Sequence, residues 1–318
     1  VGFDAPSSSH ENCRRLNGLT PASYRELRGS RTFTIALPDG YLLPYLRRAL
    51  SRDLHSATER LVGDVYTSAV PLTAGPTLLT LQVSPASVRA EIAAGSAAEA
   101  HALVIGLLGL DEDAAAFARL AKKLSLARLV EGRPALRISQ TLSVFDGLLW
   151  SIIGQQINFA FACVLKRRLI ERTSAPLADG LYAHPTPASI AALEPADLRP
   201  LQFSRQKAAT VIHTARLVAT GQLDLAGLRT MSATRAERTL LAVRGLGPWS
   251  VNYLMMRALG FPDCVPYGDT GVTSGLQALL KLEERPDLDA TRRLMPMFSP
   301  YRSLATAHLW QFTQPTPP

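Results

Sequence analysis

Two glycines and one acid carry the chemistry most open to this chain. Gly245-Leu246-Gly247 lies between apolar stretches of helical pattern at residues 238–243 and 251–259, and Asp269 follows Gly247 by 22 residues. Two helices joined by a glycine turn read as a hairpin, where glycine permits positive φ and lets backbone amides approach a partner without an intervening Cβ. Amides of such a turn, leading into the helix from Trp249, form an anion site reinforced by the helix dipole, and phosphate is its natural occupant. A carboxylate held nearby can steady a cation that develops during a reaction. Asp269 stands before Thr270-Gly271-Val272 and is equally a good helix N-cap, so both roles are open to it. Trp249 and Tyr253, at i and i+4, share one helix face as core residues or as a pair of stacking rings. Cys13, Cys163 and Cys264 are far apart and assemble neither a zinc knuckle nor a four-cysteine cluster loop.

The run Leu241-Ala242-Val243-Arg244-Gly245-Leu246-Gly247-Pro248-Trp249-Ser250-Val251-Asn252-Tyr253, followed by Pro266-Tyr267-Gly268-Asp269, resembles the helix-hairpin-helix (HhH-GPD) DNA glycosylases. The likeness is to their 3-methyladenine DNA glycosylase II, or AlkA-like, branch. Three more segments fall in the family's order. Phe145-Asp146-Gly147-Leu148-Leu149-Trp150-Ser151-Ile152-Ile153-Gly154-Gln155-Gln156-Ile157 is similar to its first core helix and Gly-Gln-Gln turn. Pro185-Thr186-Pro187-Ala188 and Phe203-Ser204-Arg205-Gln206-Lys207-Ala208 are similar to its Pro-Thr-Pro loop and Lys-Ala helix start. Ser299-Pro300-Tyr301-Arg302-Ser303 and His308-Leu309-Trp310 are similar to its closing segments. The resemblance spans roughly residues 30 to 312.

This resemblance implies an enzyme that hydrolyses the N-glycosidic bond of alkylated purines, of the 3-methyladenine and 7-methylguanine type, in duplex DNA. Breaking that bond builds positive charge on the deoxyribose, which Asp269 would stabilise while orienting water. An alkylated purine is already cationic and leaves without a strong acid. The resemblance places Trp249, Tyr253 and Tyr301 in the base pocket, with Tyr45 a further ring from the N-terminal domain, and electron-rich rings suit a cationic base. Lyase members of the superfamily carry a lysine where this chain has Trp249, so no strand cleavage is expected. Gln156 is the expected wedge for base flipping, with Gln155 structural. Gly245 and Gly247 are expected to hold phosphates, and the backbone carbonyls of Leu241, Val243 and Leu246 a monovalent cation, Na+ or K+. No cofactor is required. Arg302 and Lys207 are read as phosphate contacts or, equally, as surface stems or helix caps.

Around these residues the sequence must build positioning elements. Residues 32–37, 61–70 and 77–83 alternate as strands, and residues 41–51 and 87–108 read as helices between them. Residues 30–116 are therefore expected as an antiparallel sheet with helices, and residues 117–318 as an all-helical region of two subdomains flanking a cleft, an α+β architecture. Residues 1–29 stand apart. Gly2-Phe3-Asp4-Ala5-Pro6 and Gly18-Leu19-Thr20-Pro21-Ala22-Ser23-Tyr24-Arg25 resemble the end of an AraC-type helix-turn-helix, read as a remnant or arm. This reading makes the chain the C-terminal part of a longer Ada-like fusion.

Composition fits this reading. Of 318 residues, 47% are hydrophobic, enough for sizeable cores, and the net charge of +8 suits a polyanionic partner such as double-stranded DNA. No apolar run reaches the roughly 18 residues of a membrane span, and the start lacks the regions of a signal peptide, so the cytoplasm is the expected compartment. A monomer is the default for a base-flipping enzyme. Three other functions fit less well: a glycosylase for oxidised or deaminated bases, a non-catalytic damage-binding or regulatory protein, and methyl transfer to a cysteine. Asp269 argues against the second, and the absence of histidine beside any cysteine against the third.

Overall fold

A computed structural model describes residues 17–317. Strands β1 (Thr32–Ala36), β2 (Glu59–Val62), β3 (Val65–Leu72), β4 (Gly75–Val83) and β5 (Ser87–Ile92) form one antiparallel sheet in the order β1-β5-β4-β3-β2. Alternation decides which face is inward: in β5, Val88, Ala90 and Ile92 are buried while Arg89 and Glu91 face out. Helices α1 (Pro21–Glu26), α2 (Leu43–Leu50) and α3 (Ala97–Leu107) accompany the sheet, and Leu46, Leu50, Ala100 and Val104 join its core.

The sequence reading needs three corrections here. Residues 87–108 are not one helix. Ala90, Arg89 and Glu91 favour helix, but pairing of residues 87–92 with both β1 and β4 outweighs that local preference, and α3 begins only after the Ser96 cap. Residues 61–70 are a hairpin rather than a strand, turning at Gly63-Asp64 between the paired Val62 and Val65. The described part of the supposed arm is docked, because Leu19 and Leu27 are apolar enough to be drawn into the sheet's core. His101 Nε2 lies 2.7 Å from the Asn17 carbonyl beside them. The Gly2-Phe3-Asp4-Ala5-Pro6 match lies outside the described residues.

Beyond Leu110 the chain is mainly helical. It runs through α4 (Ala114–Lys123), α5 (Val144–Ile153), α6 (Phe159–Thr173), α7 (Pro187–Ala191), α8 (Pro195–Leu198) and α9 (Arg205–Ala219). There follow α10 (Leu225–Leu228), α11 (Ala233–Leu241), α12 (Pro248–Arg257), α13 (Thr270–Leu280), α14 (Leu288–Leu294) and α15 (Arg302–Phe312). A second core runs through these helices from Phe117 to Leu309, with α5 almost wholly buried at Leu148, Leu149, Ile152 and Ile153. Leu42 and Tyr45 at the start of α2 pack against this second core, so the sheet domain supplies one wall of the helical body. Among the described residues no helix is long and apolar enough to cross a membrane.

Candidate active site

The glycine hairpin joins α11 to α12. Gly245 has φ +94°, and a Cβ there would sit 2.5 Å from the Thr210 methyl, so only glycine satisfies both backbone and neighbour. The Leu246 amide turns back to the Val243 carbonyl at 3.1 Å, whereas the amides of Gly245 and Gly247 have no acceptor among the described residues. Both glycines line a cleft of about 1340 Å3 between α2, α5, α12 and α15.

Asp269 lies in this cleft, half-buried, as the N-cap of α13. Its Oδ1 accepts the Val272 amide at 3.0 Å and Trp310 Nε1 at 2.9 Å, and its Oδ2 accepts Trp249 Nε1 at 3.1 Å. The cap and the cleft-facing carboxylate are thus one residue. Gly271 makes this possible, since a Cβ there would stand 2.7 Å from Trp310 Cδ1 and push the indole off the carboxylate. All three donors are neutral, so Asp269 is oriented without being neutralised by a cation.

The aromatic pair forms as the spacing predicts. Trp249 and Tyr253 stack with centroids 5.2 Å apart and planes 21° apart, and Tyr253 packs at 6.2 Å against Trp310. Tyr253 Oη accepts Trp150 Nε1 at 3.2 Å. Burial alone would raise the pKa of this phenol, but the guanidiniums of Arg257 and Arg52 outweigh it and draw the value below that of an ordinary tyrosine. Arg52 lies over the Phe159 ring, 4.7 Å from its centroid, and both line the cleft. Tyr45 lines it as well.

The Gly154-Gln155-Gln156 turn divides its glutamines by role. Gln155 is half-buried and donates to the Gly245 carbonyl at 3.1 Å and to Ser250 Oγ at 2.8 Å, tying this turn to the hairpin. Gln156 is exposed at the cleft with φ +55°, a conformation that costs a non-glycine residue about 1 kcal/mol.

Of the two roles open to Lys207 and Arg302 the structure favours commitment within the protein, and Tyr301 departs from its expected place. Lys207 Nζ donates to the carbonyls of Ile152, Ile153 and Gln155 at 3.1, 2.6 and 2.9 Å, so its three protons cap the end of α5 instead of meeting phosphate. Arg302 is likewise committed, with Nε 2.7 Å and Nη2 2.9 Å from the Asp263 carboxylate, a fork that pins the start of α15 to the loop after α12. Tyr301 is absent from the cleft wall. It precedes α15 and packs half-buried on the helical core, while Trp310, about two and a half turns further along that helix, takes the place against Asp269. Trp150, Trp310, Arg52 and Arg257 were not among the expected site residues. The two tryptophans stand inside recognised segments and were findable there; the arginines carry no local signal.

Comparison with known proteins agrees with this geometry. Residues 149–300 match the HhH-GPD superfamily base excision DNA repair protein family. The chain is 32% identical over 206 residues, 64% of this chain and 68% of the relative, to a protein of Bacillus subtilis named DNA-3-methyladenine glycosylase. It is 30% identical over 213 residues, 64% of this chain but 40% of the relative, to a Mycobacterium tuberculosis protein named as a bifunctional transcriptional activator/DNA repair enzyme AlkA. A solved structure, the 3-methyladenine DNA-glycosylase from Archaeoglobus fulgidus, superposes with a TM-score of 0.76 over 88% of this chain and 97% of that one at 20% identity, which supports the α+β fold. On the strength of these likenesses, with the hairpin and the aspartate beyond it in place, the chain belongs to the HhH-GPD superfamily of base excision DNA repair proteins.

Proposed function

We propose that this protein is a monofunctional DNA glycosylase that releases alkylated purines from duplex DNA and leaves an abasic site. The observation that carries the reading is Asp269, held at the cleft by two indole N–H groups and a backbone amide with its charge uncompensated. The unpaired amides of Gly245 and Gly247, at the head of α12, hold DNA phosphates beside the flipped nucleotide. Gln156 fills the vacated place in the duplex, and the Trp249–Tyr253 stack receives the base. As the glycosidic bond lengthens, the deoxyribose becomes cationic, and the Asp269 carboxylate stabilises it and directs water to C1′.

The absence of lyase chemistry rests on the lysines. Trp249 stands where lyase relatives carry the amine, and among the described residues no lysine lines the cleft. The carbonyls of Leu241, Val243 and Leu246 are oxygen donors of the kind that take Na+ or K+ and would fix the hairpin beside the phosphates; the Val243 carbonyl also accepts the Leu246 amide. The protein acts as a monomer. The Mycobacterium tuberculosis relative's name supports a fusion with an Ada-like regulatory region.

The test is release of free bases from methylated duplex DNA by wild type and Asp269→Asn, with DNA binding measured in parallel. Release by wild type, lost in the variant while binding persists, is the expected result. Binding without release by wild type would overturn the reading, and a borohydride-trapped protein–DNA adduct would overturn its monofunctional part.

A further inference from the structure

Asp269 draws one of its three hydrogen bonds from a weak place in a helix. Trp310 stands in the last turn of α15, and helix ends fray because their final carbonyls lack partners within the helix. On the α13 side the approach is close: a Cβ at Gly275 would stand 2.6 Å from the Leu309 carbonyl, as one at Gly271 would meet Trp310. Glycines permit this approach but offer no side chain to lock the last turn in place.

The grip comes from elsewhere. Arg48 in α2 donates through Nη1 to Gln311 Oε1 at 2.8 Å and through Nη2 to the Pro315 carbonyl. The guanidiniums of Arg128 and Arg133, from the segment after α4, each lie 5.6 Å from the Phe312 ring centre. Three consecutive residues thus have three holders: Trp310 meets Asp269, Gln311 meets Arg48, and Phe312 meets the two arginines. Arg48 is the holder that belongs to the sheet domain, and it spans both the helix end and the chain beyond it. A planar guanidinium that joins two acceptors fixes their relative position, which a single-point donor does not.

We propose that Arg48 is a positioning residue for Asp269: by clamping Gln311 and the Pro315 carbonyl it holds the last turn of α15 so that Trp310 Nε1 stays on the carboxylate. Its part in base release rests on the glycosylase reading above. The sheet domain thereby orients an acid that the helical body carries, and Arg48 acts on that acid only through Trp310. Arg48 also lines the cleft, where a phosphate contact is the competing use of its charge. Both of its terminal nitrogens already donate to neutral oxygens of the protein, which favours the clamp.

The chain has three tryptophans, so the indole N–H resonance of Trp310 is identified by its loss in Trp310→Phe. In Arg48→Met that resonance should shift, and its proton should exchange with solvent about tenfold faster as the helix end opens more often. Single-turnover release of 7-methylguanine from duplex DNA should fall about tenfold in Arg48→Met, the worth of one hydrogen bond to a charged group. The slope of log affinity for DNA against log salt should not change. Arg48→Lys keeps the charge but not the fork and should show the same loss. So should Gln311→Leu, which leaves Arg48 in place and tests the clamp if Arg48→Met does not fold. Added to Trp310→Phe, Arg48→Met should cost nothing more, because the bond it protects is already gone. An unmoved Trp310 resonance in Arg48→Met would overturn the proposal, as would a loss that adds in full to that of Trp310→Phe. A wild-type rate in Arg48→Lys with a reduced salt slope in Arg48→Met would overturn it in favour of a phosphate contact. Wild type that frees no base would overturn the glycosylase reading instead, and the Trp310 resonance would still decide the clamp.

Discussion

Asp146 and Asp269 are the same side chain put to opposite uses within one helical body. Asp146 is buried in α5, with Oδ2 2.9 Å from Lys166 Nζ and Oδ1 3.3 Å from His184 Nδ1. Burial alone would raise its pKa, but Lys166 and His184 overcome that and hold the carboxyl well below the ordinary range. Asp269 meets only neutral N–H donors and faces the cleft. An acid matched by a cation beside it joins parts of a fold, whereas an acid oriented by neutral donors keeps its charge for a cation that forms elsewhere. What separates the two is the charge of their neighbours: the Asp146 carboxylate accepts its hydrogen bond from the Lys166 ammonium, whereas Asp269 accepts only from neutral N–H groups.

The largest effect that would break this contrast is at Asp269. Asp269→Asn keeps the shape but removes the charge, so base release should fall about a thousandfold, the upper range for one preorganised electrostatic group. Folding should change little, because asparagine also caps helices. Single-turnover base release and a thermal melt test both halves of this statement. A variant that unfolds would place Asp269 with Asp146.

Asp146→Asn should do the reverse. It leaves the partly buried Lys166 with its partner neutral, and breaking such a pair costs up to about 3 kcal/mol, read as a lower urea midpoint. The Asp146 carboxyl ionises at lower pH in the folded than in the unfolded chain, so its contribution is full above the unfolded value of about 4. That contribution is lost as pH falls through the folded value. Wild-type stability should therefore decline at acid pH more steeply than that of Asp146→Asn. Parallel acid limbs would show that Asp146 is not the linking carboxylate.

Trp310→Phe sharpens the contrast from the donor side. It keeps a ring against Tyr253 and removes one of the three N–H groups on Asp269. A hydrogen bond to a charged group is worth about 1.5–3 kcal/mol, so a loss of roughly tenfold or more in base release is expected, with DNA affinity nearly unchanged. If release is unaffected, the carboxylate is positioned by the N-cap bond alone.

Most of the sheet was legible because one face is buried and one wet, which writes alternation into β1 and β4. β5 was not, since Ala90, Arg89 and Glu91 are locally helical and their strand geometry comes from partners on both sides. In the site, Asp269, Trp249, Tyr253 and the two glycines were legible because they stand in the short motif that carries the family resemblance, the glycine turn and its following helix with the acid 22 residues beyond. Arg52 and Arg257 reach one cleft only because the sheet domain packs on the helical body, and no local pattern announces such a meeting. For Lys207 and Arg302 the sequence left phosphate contact and helix capping equally open, for a related reason. A positive charge in a basic protein suggests phosphate, but its nearest acceptors lie on distant segments that only the fold brings near.

Lys207 gives the smallest and most discriminating prediction. It resembles Asp146 in being committed within the protein, since three carbonyls at the end of α5 take its protons and burial lowers its pKa. Lys207→Met should weaken the fold by about 1–3 kcal/mol as those carbonyls lose their partner. Loss of a phosphate contact would instead reduce the slope of log affinity for DNA against log salt by about one. That slope should be unchanged in Lys207→Met, because no phosphate charge is released when an internal cap is removed. A reduced slope with normal stability would return Lys207 to the DNA-binding surface and show that a cation held by neutral carbonyls, like an anion held by neutral N–H groups, keeps its charge for the substrate.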